Sequence, residues 1–301
     1  METTNPGPST FLKACRERTV LGDGAMGTEL QRAGLEPGTC GELWNLEKPD
    51  RIEAIHRAYI QAGSEAIITC SFGANRWVLG RYGLADKVEE VNRAAASIAR
   101  RSAAAGVTVL GDIGPFGGFL RPLGEVGADE VTEAFEEQAL ALLAAGADGI
   151  IVETMSALEE IVAAVGAARR AGAPFVIASM AFEQRGRSGL RTMMGVAPGE
   201  AAKAMVDAGA DIIGANCGTS LGPSDLVQIA TLYADCEAGA MPPLGPMCGQ
   251  RVFVDTQLTR DPEVVFNAGT HMDAIRMRYG DLASLVKPVI GDFGRPPKPA
   301  K

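Results

Sequence analysis

The sequence predicts an α/β fold, a single-domain (β/α)8 TIM barrel, and three observations carry that expectation. A phrase made of Ala-Gly, a short link and an apolar run recurs as "QAGSEAIITCSF", "AAGVTVLGDIG", "AAGADGIIVETM", "RAGAPFVIASMAF" and "DAGADIIGANCG". Alanine-rich segments such as "EVTEAFEEQALALLAAG" and "LEEIVAAVGAARRAG" precede most of these phrases, with apolar residues three and four positions apart. Polar residues close nearly every apolar run. Glycine just past a helix takes the left-handed cap that a Cβ penalises. A continuous apolar run suits a strand buried on both faces of a parallel sheet. Spacing of three and four gives a helix one buried face.

In chain order, "TVLGDGAM" comes first, the five phrases follow, and "PPLGPMCG" and "KPVIGDFG" complete eight candidate strands. Seven of them are separated by segments with room for a helix, and such an alternation closes most simply as a barrel. An open doubly wound sheet is the alternative, but no G-x-G-x-x-G follows the first strand, which argues against a dinucleotide site. The spacing places long inserts at about residues 27–50 and 183–197. Residues 1–18 read as an N-terminal extension, 19–294 as the barrel and 295–301 ("RPPKPAK") as a disordered tail.

Bulk properties narrow the class. The 301 residues are 47% hydrophobic, enough for a sizeable core, and the net charge of −9 is spread without a block of one sign. That balance argues against a phosphate-backbone partner, so no nucleic acid is expected. The N-terminal "METTNPGPSTFLKACRERTV" lacks the basic-then-apolar pattern of a signal peptide. No run approaches the ~20 apolar residues that cross a bilayer, so the expected location is cytoplasmic, with no membrane partner. Six cysteines, Cys15, Cys40, Cys70, Cys217, Cys236 and Cys248, stand apart without a C-x-x-C, unlike a disulfide framework.

In barrels of this kind the functional groups cluster where strands end. Those exits carry Asp23-Gly24, Thr69-Cys70-Ser71-Phe72, Asp112, Glu153-Thr154, Ser179-Met180, Asn216-Cys217, Met247-Cys248 and Asp292-Phe293. Burying so many polar groups without partners would cost kcal/mol each, which points to a pocket.

The residues also carry a resemblance. "LGDGAMGTEL", "NLEKPDRIEAIHRAYIQAGSEAIITCSFGANR", "IGPFGGFLRPLGE", "DGIIVETMSALEE" and "GANCG…GP" resemble, in order over about residues 20–233, the homocysteine S-methyltransferase family. In character they are most similar to the homocysteine-binding module of cobalamin-dependent methionine synthase. The resemblance implies a (β/α)8 barrel that methylates the thiol of homocysteine to give methionine. It implies that Asp23, Gly24 and Glu153 meet the amino-acid part of the substrate, taking its ammonium by charge-assisted hydrogen bonds. Thr69, Ser71 and Asn75 would shape the pocket beside Asn216. Cys217 would be the catalytic residue and first ligand of a zinc ion that holds the substrate thiol as thiolate. The chain has no cobalamin or folate module in its sequence, so the methyl group would come from a methyl-corrinoid on a partner protein or from a small methyl donor.

The last strand departs from the family pattern. Members carry a Gly-Gly-Cys-Cys-Gly phrase whose two cysteines complete the zinc site, whereas "VIGDFG" places Asp292 and Phe293 there. Phenylalanine cannot bind a metal, so the three-thiolate set is absent. In one reading Cys248, at the exit of the seventh strand, joins Cys217 and Asp292 in a two-thiolate, one-carboxylate set, which zinc accepts. In another the protein works without metal on a different small O-, N- or S-methyl substrate, as a corrinoid-linked methyltransferase or demethylase. In a third it is a non-catalytic amino-acid-binding homologue. Elsewhere, His56 reads as structural within a helix, and His271 is expected to begin a late outer helix. Cys70 reads as packing, Trp44 and Trp77 as either pocket rim or core cap, and Arg185, Arg187 and Arg191 as a solvated loop.

Overall fold

A computed structural model of the chain describes residues 8–184 and 189–217, and further on 253–255, 260, 263–267, 274–278, 280, 283–284 and 289–291. Helix α1 (Pro8–Glu17) leads, and α2 (Met26–Arg32), α3 (Trp44–Glu47) and α4 (Pro49–Gln61) occupy the first insert and its exit. Then come β1 (Ala66–Ile68), α5 (Arg76–Gly80), α6 (Val88–Ser102), β2 (Thr108–Ile113), α7 (Ala128–Ala144), β3 (Gly149–Met155), α8 (Leu158–Arg170) and β4 (Val176–Met180). A small antiparallel hairpin, β5 (Glu183–Gln184) and β6 (Leu190–Arg191), fills the second insert before α9 (Pro198–Asp207) and β7 (Ile212–Ala215). The strands β1, β2, β3, β4 and β7 lie side by side, every neighbour parallel.

The remaining staves differ in detail from the sequence expectation. Residues 19–24 run parallel to β1 without a regular ladder. The Leu21 carbonyl accepts the N–H groups of Glu65 (2.8 Å) and Ala66 (3.2 Å), but the next bond goes to a side chain, Ile68 N–H donating to Asp23 Oδ2 at 2.9 Å. A carboxylate has taken the place of a backbone acceptor. The expected seventh strand at 242–249 lies outside the described residues, as does the 295–301 tail. Strand β8 (Phe253–Asp255) pairs in parallel with the last strand, β11 (Val289–Gly291). Between them β9 (Glu263–Asn267) and β10 (Ala274–Arg278) form an antiparallel pair. This corrects the helix expected after His271, itself outside the described residues. Ile275 and Met277 alternate with Arg276 and Arg278, and period two favours a strand.

The Ala-Gly phrases act as read. Gly63, Gly106, Gly146, Gly172 and Gly209 all have φ between 84° and 109°, ending the preceding helix. Along the strands, side chains alternate between two cores. Outward Ile113, Ile150, Val152, Val176, Ala178, Met180 and Ile213 pack under the helices. Inward Ala66, Ile68, Leu110, Ile151, Ile177 and Ile212 form a separate layer that includes Phe11 of α1. Phe11 stacks on the buried Phe175 with centroids 4.9 Å apart. The N-terminal helix is therefore packed into the floor of the barrel. Gly149 makes room for Phe175, since a Cβ there would sit 2.5 Å from its ring.

A clamp repeats across the floor. Glu65, Asp148 and Asp211 each stand three residues or fewer before a strand and accept the N–H of a residue on the preceding stave: Leu21 (3.2 Å), Val109 (2.7 Å) and Val176 (2.8 Å). Each acid also pairs with an arginine that leads into that preceding stave, Arg18, Arg100 and Arg169 respectively. The staves are thus tied two by two.

Candidate active site

The upper, C-terminal ends of the staves bring together side chains far apart in sequence. Alternation turns Asp112, Glu153 and Ser179 to the inside, above the Leu110, Ile151 and Ile177 layer. Asn216, just past β7, is the hub. Its Oδ1 accepts the Thr154 N–H (3.0 Å) and the Ser179 hydroxyl (2.8 Å). A backbone N–H can only donate, so the oxygen must face Thr154 and the amide nitrogen must face the other way. That nitrogen donates to Glu153 Oε2 (3.0 Å) and Thr154 Oγ1 (2.7 Å), and lies 3.5 Å from Cys217 Sγ. Thr154 Oγ1 is 3.7 Å from the same sulfur.

Both residues beside Asn216 in this network have left-handed backbones, Thr154 at φ 63° and Cys217 at φ 55°. Non-glycine residues in that region carry strain of order 1 kcal/mol, and such positions gather at functional sites. Cys217 is exposed, whereas Cys40 and Cys70 are buried and Cys15 is half-buried. Burial pushes the Cys15 and Cys40 thiols up to about 11 and holds Cys70 well above the usual thiol range. Among the described cysteines, Cys217 alone is presented to a ligand.

Asp23 stands at the exit of the first stave with Oδ2 held by Ile68, while its buried Oδ1 has no partner among the described residues. Burial, with Glu153 adding repulsion, raises its carboxyl to about 7. Glu153 is raised by burial as well. Gly24 is set by Tyr59, whose hydroxyl would lie 2.8 Å from any Cβ there. Because the folded carboxyl of Asp23 titrates above its unfolded value of 3.8, its ionisation opposes folding. Its contribution is harmless below pH ~4 and becomes destabilising as pH rises toward 7, by up to about 4 kcal/mol. Urea melts at pH 4.5 and pH 8 should show Asp23→Asn gaining stability relative to wild type at the higher pH. An unchanged difference between the two pH values would contradict this.

The other sequence-selected residues take supporting positions. Thr69 Oγ1 accepts the Asp112 N–H (2.9 Å), and the Ser71 hydroxyl donates to the Asp112 carbonyl (2.8 Å). The short Thr69–Ser71 contact (2.7 Å) is therefore donated by Thr69. Asn75 caps α5 through the Trp77 and Val78 N–H groups and donates to the Pro115 carbonyl at 3.3 Å. All three are fully buried, so they brace the third stave and its loop. His56 is buried, its imidazole lowered to about 4 by desolvation. Trp44 is buried in a core cluster with Ile52 and Cys70, and Trp77 packs edge-on against Phe116. Arg191 lies in β6, and Arg185 and Arg187 fall outside the described residues. Thr154 and Ser179 were visible only as strand exits; nothing local in the sequence marks their convergence on Asn216.

Cys248 and Asp292 lie outside the described residues. Among those described, no group of three or more His, Cys, Asp or Glu side chains is placed to hold a metal. The described site supplies one soft donor, Cys217, and by itself does not fit a zinc ion. No described helix is long and apolar enough to cross a membrane.

A parallel-stave α/β fold with polar side chains converging at the strand exits defines the class, an α/β barrel with its candidate site at the C-terminal ends of the strands. The chain belongs to the homocysteine S-methyltransferase family, whose model matches residues 20–263. It is 35% identical over 264 residues to the methionine synthase of Mycobacterium leprae, an alignment covering 80% of this chain and 21% of that protein. It is 32% identical over 250 residues to betaine–homocysteine S-methyltransferase 1 of Rattus norvegicus, covering 78% and 59%. The chain thus spans about a fifth of the length of the methionine synthases it matches. Its fold is that of the metallated homocysteine methyltransferase MmuM of Escherichia coli, with a TM-score of 0.62 at 21% identity over 84% of this chain and 89% of that one.

Proposed function

We propose that the protein methylates the thiol of homocysteine to give methionine. The observation that carries this reading is the Asn216 network, which holds an exposed cysteine beside the half-buried Glu153 carboxylate at the strand exits of a family barrel. Asp23 and Glu153 receive the substrate ammonium, the first through its free Oδ1 and the second in the orientation Asn216 imposes. Gly24 lets the backbone approach the amino-acid end. Thr69, Ser71 and Asn75 keep the second and third staves in register beneath it. In the transfer the new sulfur–carbon bond forms as the donor–methyl bond breaks, and the thiol proton is released. The methyl group comes from a corrinoid on a partner protein or from a small donor.

Zinc belongs to this proposal only with ligands beyond the described site, Cys248 and Asp292 beside Cys217. When bound, the ion would supply thiol deprotonation near neutral pH. Purified protein incubated with L-homocysteine and either a methylated corrinoid or S-methylmethionine should form methionine. Turnover with neither donor, alongside measurable homocysteine binding, would favour a binding protein. Turnover of another methyl compound with a corrinoid acceptor would favour the demethylase. Metal analysis should find about one zinc per chain, lost in both Cys217→Ala and Cys248→Ala. Full retention in Cys248→Ala would remove Cys248 from the set.

A further inference from the structure

Asp112 has no place in these assignments, yet it lies on an inward face close enough to Glu153, Asp23 and Cys217 to feel their charge. It is an inward residue of β2, 4% exposed, and its buried Oδ1 has no hydrogen-bond partner among the described residues. Its backbone is held at both ends by Thr69 and Ser71, and the Gln138 side chain donates to the Ser71 carbonyl at 2.7 Å. The backbone that carries the carboxylate is thereby fixed. Burial first, and then the described neighbours Glu153, Asp23, Glu42 and Cys217, hold it well above the usual carboxylate range. A buried acceptor without a donor costs kcal/mol, and an unpaired buried charge costs more. Among the described residues the strand exits thus carry two orphaned oxygens, Asp23 Oδ1 and Asp112 Oδ1, with Glu153 between their staves and Asn216.

A primary ammonium carries three N–H donors, whereas a quaternary ammonium carries charge and no donor. We propose that Asp112 is a specificity-determining residue that contacts the substrate, its Oδ1 and that of Asp23 accepting N–H bonds from one primary ammonium group. The pocket then selects amines with free N–H groups and rejects uncharged and N-trimethylated counterparts. This rests on the reading that a small amino compound occupies the pocket, but not on that compound being homocysteine.

The test is binding, by calorimetry, of L-homocysteine, L-methionine, a panel of other primary amino acids, the desamino analogue 4-(methylthio)butanoate and N,N,N-trimethylmethionine, to wild type and Asp112→Asn. Wild type should prefer the primary ammonium compounds by about tenfold or more, and Asp112→Asn should lose about that factor of affinity and with it the discrimination. Thermal melting separates binding from folding. Relief of an unpaired acid should leave Asp112→Asn at least as stable as wild type, whereas a merely structural carboxylate would lower the melting temperature and leave discrimination intact. Unchanged discrimination in the variant, or no binding of any primary amine by wild type, overturns the proposal. Binding of another amino acid but not homocysteine, lost in Asp112→Asn, sustains it and overturns the homocysteine reading instead.

Discussion

Cys217→Gly is expected to abolish most of the activity while making the protein more stable. The sulfur is the exposed end of a network running from Ser179 and Thr154 through Asn216. Preorganised contacts at a reacting atom are worth about 10²- to 10³-fold in rate, so methionine formation should fall at least that far. The backbone effect runs the other way. Cys217 has φ 55°, a region glycine enters without penalty, so the variant should gain about 1 kcal/mol. Cys217→Ala keeps the Cβ and should lose the activity without the gain. The pair is read by turnover and calorimetric melting. Retained turnover would show that the thiol is not at the chemistry, and equal melting of the two variants would show that no strain is stored there.

The largest effect on stability is expected at the opposite end of the barrel. Phe175 is fully buried, stacked on Phe11 and seated over Gly149. Truncating a buried phenylalanine to alanine removes its transfer energy and leaves a cavity, costing about 3–5 kcal/mol. In a chain of this size that lowers the melting temperature by roughly 10 °C, a large share of a total stability of roughly 5–15 kcal/mol. Phe11→Ala should give a smaller loss of the same kind. Melting within a degree of wild type for Phe11→Ala would show that α1 contributes nothing to the floor.

The alternating elements were legible because the signals are local. Each Ala-Gly phrase caps one helix and starts one strand, and the apolar runs state which segments are buried on both faces. The floor clamp lay in the same phrases unread: acids follow Ala-Gly at Glu65, Asp148 and Asp211, but not before β2 or β4. Their role appears only when the preceding stave is seen beside them. The site divides in the same way. Glu153, Asn216 and Cys217 could be named from strand exits and family phrases, and they converge. Ser71 and Asn75 share that vocabulary but spend their side chains on backbone groups, a distinction that depends on what the third stave offers them. The segment after His271 misled because a few residues of mixed apolar and basic character fit two periods, and the antiparallel partner Glu263–Asn267 decides between them.

The paired staves have a consequence for how such a chain can change over generations. All three acid–arginine locks stand below the sheet, on the face away from the pocket, and each secures its own two staves. Architecture and chemistry are thereby insulated from each other. Residues at the strand exits, such as Ser179 and Asn216, can be exchanged without loosening the foundation. The barrel is a frame on which new substrates can be tried while the fold stays in place.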